Sequence, residues 1–128
     1  MKLRAQMEGL AVIATIAAVL AKDTLVAITG NRTVNTAGAN ASSIGRLSVP
    51  AKAINGQGTV ETKFKELIEI KAAANLTAGT QVKLGAPDGT TGENTVVAWV
   101  SGTDGFERLY AVVWNGAASG GTVEVLTY

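Results

Sequence analysis

The chain contains neither cysteine nor histidine among its 128 residues. Without cysteine it has no disulfide framework, no thiolate nucleophile and no zinc finger. Without histidine it lacks the side chain on which most general acid–base catalysis near neutral pH and most transition-metal sites depend. These absences argue against an enzyme, and we expect no cofactor and no bound metal.

Net charge and aromatic residues are also scarce. Lys and Arg number 11 against 10 Asp and Glu, which leaves a net charge of +1. A chain so balanced has no overall field that would attract nucleic acid or an anionic membrane, so we expect neither as a partner. Trp, Tyr and Phe number only 2 each, although hydrophobic residues make up 47% of the chain. The apolar content is therefore mostly Ala, Val, Ile and Leu, which suits thin, closely packed β layers.

An apolar run from Gly9 to Ala21 follows Lys2 and Arg4, as the core of a secretory signal would. Glu8 argues against a signal, because the residues before such a core are normally basic. The run is also shorter than the roughly 18 to 20 apolar residues of a membrane-spanning helix. We therefore expect a structural segment and no cleaved signal peptide. Its β-branched residues favour a strand. The alternative is a short helix, whose apolar stripe would be Leu10, Ile13, Ala17 and Leu20.

A turn followed by a strand recurs along the chain. The stretch AAVLAKDTLVAI (residues 17–28) aligns with AANLTAGTQVKL (73–84). Two shorter copies of the pattern are GQGTVETKF (56–64) and ASGGTVEVL (118–126). In each copy a turn-forming residue precedes Thr, and strand-forming residues follow. The turn-forming residues are Asp23, Gly79, Gly58 and Gly121. Since the copies are unequally spaced, they indicate a repeated hairpin start and not a solenoid.

The segment VETKFKELIEIKA (60–72) has the clearest alternation of apolar and charged residues. This pattern predicts one strand, or two with a bulge at Glu66–Leu67, having one charged face. The apolar face would contain Val60, Thr62, Phe64, Ile68 and Ile70, with Glu66 as its one exception. A helix over residues 64–74 is the competing interpretation.

Further along, TVVAWV (95–100) and FERLYAVVW (106–114) flank the loop SGTDG, which predicts a hairpin with Trp99 opposite Arg108. Such a pair would form a cation–π contact worth about 1 kcal/mol. With some eight to ten short strands and little helix, the chain is predicted to be a single all-β domain over residues 1–128. Its form would be a small β-barrel, β-tulip or sandwich over residues 10–128, with residues 1–9 as an extended N-terminal arm.

Two kinds of residue could carry chemistry. Asp88 in PDG and Asp104 in TDG are carboxylates that could be paired, but each is better explained as a turn residue that binds its own backbone. Trp99, Tyr110 and Trp114 could form a platform for stacking sugars, but large rings in an Ala-rich chain more often serve as core or as a subunit contact.

Four stretches together resemble the small capsid decoration, or cement, proteins of tailed bacteriophages. They are KDTLVAITGN, SIGRLSVPAKAINGQGTVETKF, NLTAGTQVKLG and AASGGTVEVLTY, and the resemblance covers Ala11–Tyr128. It implies a β-barrel or β-tulip domain on the outer surface of the virion, made in the host cytoplasm and without enzymatic activity. Such proteins clamp neighbouring major capsid protein subunits, usually as homotrimers at local three-fold positions and sometimes as dimers at two-fold positions.

The resemblance also suggests which residues make contacts. Family members often complete the capsid contact with a terminal arm, here MKLRAQME. We expect the capsid or subunit interface to include Met1, Lys2, Leu3, Arg4, Met7, Trp99, Arg108 and Trp114. The alternative function is a carbohydrate-binding or adhesin module on a phage or bacterial surface, using Trp99, Tyr110 and Trp114.

Overall fold

A computed structural model describes residues 2–6, 11–62 and 66–128, and in it the chain is all-β, as the sequence predicts. The strands are β1 Lys2–Gln6, β2 Ala11–Ile16, β3 Leu25–Gly30, β4 Thr33–Thr36, β5 Gly45–Leu47, β6 Gly56–Thr62, β7 Glu66–Ala72, β8 Gln81–Leu84, β9 Thr95–Ala98, β10 Ala111–Asn115 and β11 Thr122–Thr127. A single 3-10 turn, Phe106–Arg108, interrupts them in the described part of the chain. Within those ranges, no helix has the length and apolar character needed to span a membrane.

The strands form two small closed barrels with the same topology. In the first, β2 pairs parallel with β4, and the antiparallel pairs β4–β3, β3–β5, β5–β6 and β6–β2 complete the ring. In the second, β7 pairs parallel with β9, and the antiparallel pairs β9–β8, β8–β10, β10–β11 and β11–β7 follow in the same order. The chain is therefore a structural duplication, in which β7–β11 repeats β2–β6.

Matching hydrogen bonds confirm the alignment of residues 17–28 with 73–84. The amide of Asp23 donates to Leu47 O at 2.9 Å, and that of Gly79 donates to Val113 O at 2.8 Å. Both turn residues have positive φ, 65° at Asp23 and 87° at Gly79. Glycine adopts this conformation without strain, and Asp is among the few other residues that tolerate it. The repeated turn that the sequence predicts thus occupies the equivalent position in each barrel.

The two shorter copies, residues 56–64 and 118–126, are also structurally equivalent to each other, but not in the alignment that the sequence predicts. Asn55 and Gly120 are the equivalent turn residues, with φ of 60° and 84°. Gly56 matches Gly121, because each amide donates to the carbonyl three residues earlier. The prediction that Gly58 is the turn residue is wrong, since Gly58 lies inside β6.

Residues 11–16 of the apolar run form strand β2, with Ile16 completely buried, and residues 17–21 contain no helix, so the helical alternative is wrong. Gly9 and Leu10 of the run lie outside the described residues. The alternating segment divides into β6 of the first barrel and β7 of the second, and β7 excludes the competing helix over residues 64–74. Phe64 lies outside the described residues. Along β7 every second side chain is buried, and Glu66 is one of them. Glu66 is therefore the single charged residue on the apolar face, as the sequence predicts.

The predicted hairpin between residues 95–100 and 106–114 is wrong. Strand β8 lies between β9 and β10, with Val82 opposite both Ala98 and Ala111. Trp99 therefore lies beside Gln81, to whose carbonyl its amide donates at 2.8 Å, and it is not opposite Arg108. The loop between the two segments has to cross the end of β8.

Buried residues join the two barrels. The core of the second barrel includes Leu25 and Ala37 of the first, while the first barrel also has a small core of its own around Ile16 and Val60. Asn94, buried at the junction, accepts from the amide of Leu25 at 3.0 Å and donates to Ala37 O at 3.2 Å.

A buried cation reinforces the junction. The guanidinium of Arg46 on β5 lies 3.0 Å from Asp23, 2.8 Å from Glu61 and 3.5 Å from Glu66, the first residue of β7. Burying a charge is tolerated when it is paired in this way. Arg46 therefore explains how Glu66 can occupy a core position.

Candidate functional site

The outward side of the second barrel carries a group of exposed apolar and aromatic side chains. Gln81, Val112 and Leu126 are cross-strand neighbours on β8, β10 and β11, so they form one row. Trp99 and Tyr128 adjoin Gln81, and Trp114 follows Val112 by two residues on β10. We call the whole surface the aromatic face, and it consists of Trp99, Phe106, Val112, Trp114, Leu126 and Tyr128.

Trp99 and Phe106 form a stacked pair on this face. Their ring centroids are 5.6 Å apart with planes inclined by 28°. The Trp99 Nε1–H donates to Gly105 O at 3.0 Å, which holds the indole in place. Phe106 is 82% exposed. Stacking of two aromatic rings contributes about 1 kcal/mol beyond the burial of their surface. The Trp99 indole therefore holds the exposed Phe106 ring in a fixed position.

Trp114 lies at a β-bulge on the outward side of β10, where it follows the buried Val113. The register of β10 against β11 shifts between Val113 and Asn115, so Trp114 has no direct partner on β11. Bulges of this kind redirect a side chain and often lie next to functional surfaces. The Trp114 side chain is 63% exposed. An exposed tryptophan is costly to leave in water, and it is well suited to a contact with another molecule.

Tyr128 lies beside Gln81 on this face. Its hydroxyl accepts from Gln81 Nε2 at 3.2 Å, and its amide donates to Tyr110 O at 3.1 Å. Sequence reasoning did not identify Phe106 or Tyr128 as surface contacts. For Tyr128 a signal exists: Val123, Val125 and Thr127 alternate inward, which places the residue after Thr127 on the outside.

The loop beside the face is held by Asp104. Its carboxylate accepts from Lys83 Nζ at 2.6 Å and from the amide of Val100 at 2.8 Å, and Arg108 Nη1 lies 3.7 Å away. The bond from Lys83, with the others, lowers the pKa of Asp104 below its ordinary value. The predicted role of Asp104 as a turn residue is therefore confirmed.

Asp88 has an equivalent structural role elsewhere. It accepts from Lys71 Nζ at 2.6 Å and from the amides of Thr90 and Thr91 at 2.8 and 2.9 Å. These bonds, that of Lys71 first, lower the pKa of Asp88. Each of the two candidate carboxylates is thus bound to its own lysine. Among the described residues, no three His, Cys, Asp or Glu lie together in a way that could hold a metal ion.

The structure brings together only part of the predicted interface. Trp99 and Trp114 lie on the aromatic face, and Arg108 lies at its rim beside Asp104. Lys2, Leu3 and Arg4 belong to β1, which pairs with β7. Met1 and Met7 fall outside the described residues.

The three-ring sugar platform is not assembled, because Tyr110 is buried. Only 2% of it is exposed. Burial raises the pKa of its hydroxyl above the ordinary value, with a smaller contribution in the same direction from Glu66. Tyr110 is a core residue, so of the three rings only Trp99 and Trp114 are available at the surface.

Comparison with known proteins identifies a fold neighbour. No protein-family model and no curated protein matches the chain. Among solved structures, it is similar to the N base of head fiber gp8.5 of bacteriophage phi29, with a TM-score of 0.61 over 93% of both chains. Sequence identity is 12%, so the likeness concerns the fold.

Proposed function

We propose that the protein is a structural component of a phage virion that binds the outside of the head shell. The observation that carries this proposal is the aromatic face, on which Phe106, Trp114 and Tyr128 are 82%, 63% and 50% exposed. Exposed apolar groups gathered on one face mark a surface that binds another macromolecule. Such a surface needs complementary shape and no reactive groups, so we propose no enzymatic activity.

The fold supports a place on a virion. A similar solved structure is the N base of a head fiber of phage phi29, and the likeness spans 93% of this chain. The resemblance of the sequence to capsid decoration proteins points in the same direction. In our proposal the major capsid protein is the partner, and the chain clamps neighbouring capsid subunits.

A protein of this kind would stabilise the shell by mass action. If it binds the assembled shell and not the separated subunits, each bound copy shifts the equilibrium toward the assembled state. Many symmetry-related copies multiply a modest contact energy. Capsid decoration proteins are usually homotrimers, and a homotrimer of this chain would fit a three-fold position on the shell. A dimer would fit a two-fold position.

Co-sedimentation with phage heads made of the cognate major capsid protein tests the binding surface. The wild-type protein should sediment saturably with these heads. Phe106→Ser and Trp114→Ser should each weaken the interaction about tenfold or more, because exposed aromatic anchors usually dominate contact energy. The matched control is Ile54→Ser, which removes a side chain that is 68% exposed on the first barrel. Unchanged binding by both aromatic variants would refute the aromatic face as the binding surface.

Carbohydrate binding is the second candidate function. The exposed rings of Trp114 and of the Trp99–Phe106 pair are of the type that stacks on sugars. Titration of a glycan panel followed by tryptophan fluorescence would test it. A saturable change that disappears in Trp114→Ser would favour this function over shell binding.

A further inference from the structure

In the second barrel, an extra strand lies against β7. Strand β1 pairs antiparallel with the first half of β7, with Lys2 opposite Glu69 and Gln6 opposite Glu66. The second half of β7 is covered on that side by β9, through the pairs Lys71–Thr95 and Ala72–Val96. Two strands placed end to end therefore cover one edge of β7.

The equivalent edge in the first barrel belongs to β2. The pairs Thr15–Thr33 and Ile16–Val34 between β2 and β4 correspond to the two pairs between β7 and β9. Thr15 of β2 is thus equivalent to Lys71 of β7. Two residues earlier on each strand, Ile13 is equivalent to Glu69. On this side of β2, no strand among the described ranges pairs with residues 11–14.

The backbone of this edge is oriented for pairing. The amide of Thr15 donates to Arg32 O at 2.7 Å, which shows that Thr15 faces the β4 side of β2. Because hydrogen-bonding direction alternates along a strand, Ala11 and Ile13 direct their N–H and C=O groups to the same side. Val12 and Ala14 direct theirs to β6.

An apolar groove accompanies the edge. It has a volume of about 340 Å³ and is lined by Val12, Ile13, Ala14, Ile28, Arg32, Thr33, Val34 and Ile44. Ile13 is 70% exposed and Ile28 is 66% exposed. An exposed apolar strand edge is a template for pairing with another chain, and proteins usually cover or charge such edges.

We propose that a second copy of the chain covers this edge, with β2 of each copy pairing antiparallel across a two-fold axis. The segment 11–14 reads AVIA and carries no charge, so the two paired segments place no like charges opposite each other. The antiparallel direction is also that of β1 on β7. A two-fold contact uses the same patch twice, so Ile13 and Ile28 of both copies would be covered.

Charge distinguishes a second copy from strand β1 as the occupant. Strand β1 contains two basic residues, Lys2 and Arg4, whereas β2 contains no charged residue. The groove beside β2 is lined by one charged residue, Arg32, whose positive charge disfavours a basic strand. The edge of β2 therefore suits an uncharged strand, which β2 itself is. This inference does not depend on the proposed shell binding.

The solution mass, measured by light scattering over a range of concentrations, tests the proposal. We expect the wild-type protein to have twice the mass of one chain, which is the dimer and not the trimer of the two oligomers that the resemblance allows. Ala11→Pro should leave only monomer, because it removes an edge N–H while preserving the pairing of β2 with β6. Ile13→Lys should also abolish the dimer, which keeps the test valid if the proline variant does not fold. The control Ile54→Lys alters an equally exposed isoleucine and should remain dimeric.

Hydrogen exchange locates the contact. In the dimer the amides of Ala11 and Ile13 should be protected, and dilution to monomer should remove that protection. A wild-type monomer at every concentration would overturn the proposal, as would an oligomer that survives both edge variants. Protection of these amides in a monomer would also overturn it, since a segment of the same chain would then cover the edge.

Discussion

At the scale of single residues, two buried polar side chains join the barrels. Asn94 binds backbone groups of β3 and of the residue after β4, and Arg46 binds carboxylates on three segments. The sequence predicts the alternation of residues 60–72 and places Glu66 on the apolar face. It does not identify Arg46 as the partner of Glu66, because local periodicity carries no information about which distant residue will lie opposite.

Substitution of Asn94 should weaken the junction. Asn94→Ala leaves the amide of Leu25 and the carbonyl of Ala37 without their side-chain partner in a buried position, which should lower the free energy of unfolding by about 2 to 4 kcal/mol. Urea unfolding followed by circular dichroism measures this. The exposed Asn31→Ala should change stability by less than about 0.5 kcal/mol. Equal effects of the two substitutions would contradict the role of Asn94.

The pairing of Asp88 with Lys71 predicts a pH dependence. The pKa of Asp88 in the folded protein lies below its ordinary value of 3.8, chiefly because Lys71 donates to it. Its contribution to stability is therefore complete above about that pH and is lost as the pH falls toward the folded-state pKa. Asp88→Asn should be less stable than wild type at neutral pH, and the difference in thermal midpoint should shrink in acid. A difference that is constant from neutral pH into acid would contradict this.

At the scale of strands, local sequence signals predicted the turns and the strands that follow them, but not which strands pair with each other. The turns at Asp23 and Gly79 and the strands after them follow from residue type and alternation, so the alignment of 17–28 with 73–84 is confirmed. The predicted hairpin failed because β8, the strand that precedes β9 in the chain, lies between β9 and β10. Proximity along the chain favours a hairpin, but closing a five-strand ring requires a different neighbour.

Gly45 on β5 tests how tightly the first barrel closes. A Cβ at this position would lie 2.0 Å from Glu61 O on β6, and this neighbour is backbone, which cannot move aside as a side chain can. Gly45→Ala should therefore cost about 3 kcal/mol or more in a chemical denaturation experiment. Gly89→Ala, where no atom lies within 4 Å of the added carbon, is the control. Near-wild-type stability of Gly45→Ala would show that the barrel can widen there.

At the scale of the whole molecule, the two barrels should unfold together. Leu25 and Ala37 of the first barrel belong to the core of the second, so the second barrel does not have a complete interior alone. Both tryptophans lie in the second barrel, and their fluorescence reports on that half. Urea transitions followed by fluorescence and by far-ultraviolet circular dichroism should coincide. A separate circular dichroism transition without a fluorescence change would show that the first barrel unfolds independently.

The aromatic face could be predicted only in part, because it arises from the pairing of β8, β10 and β11. Trp99 and Trp114 are conspicuous in the sequence as rare rings. Their arrangement around Gln81, Val112 and Leu126 depends on register, and the burial of Tyr110 depends on the junction between the barrels. The duplication likewise left only a short trace in the sequence.

The measurement that tests the central proposal most directly is the temperature at which phage heads release their DNA, with and without the bound protein. If the chain clamps the shell from outside, saturating protein should raise the release temperature, and Trp114→Ser should reduce the increase because fewer copies bind. Heads that are saturated with the protein but release DNA at an unchanged temperature would contradict the stabilising role.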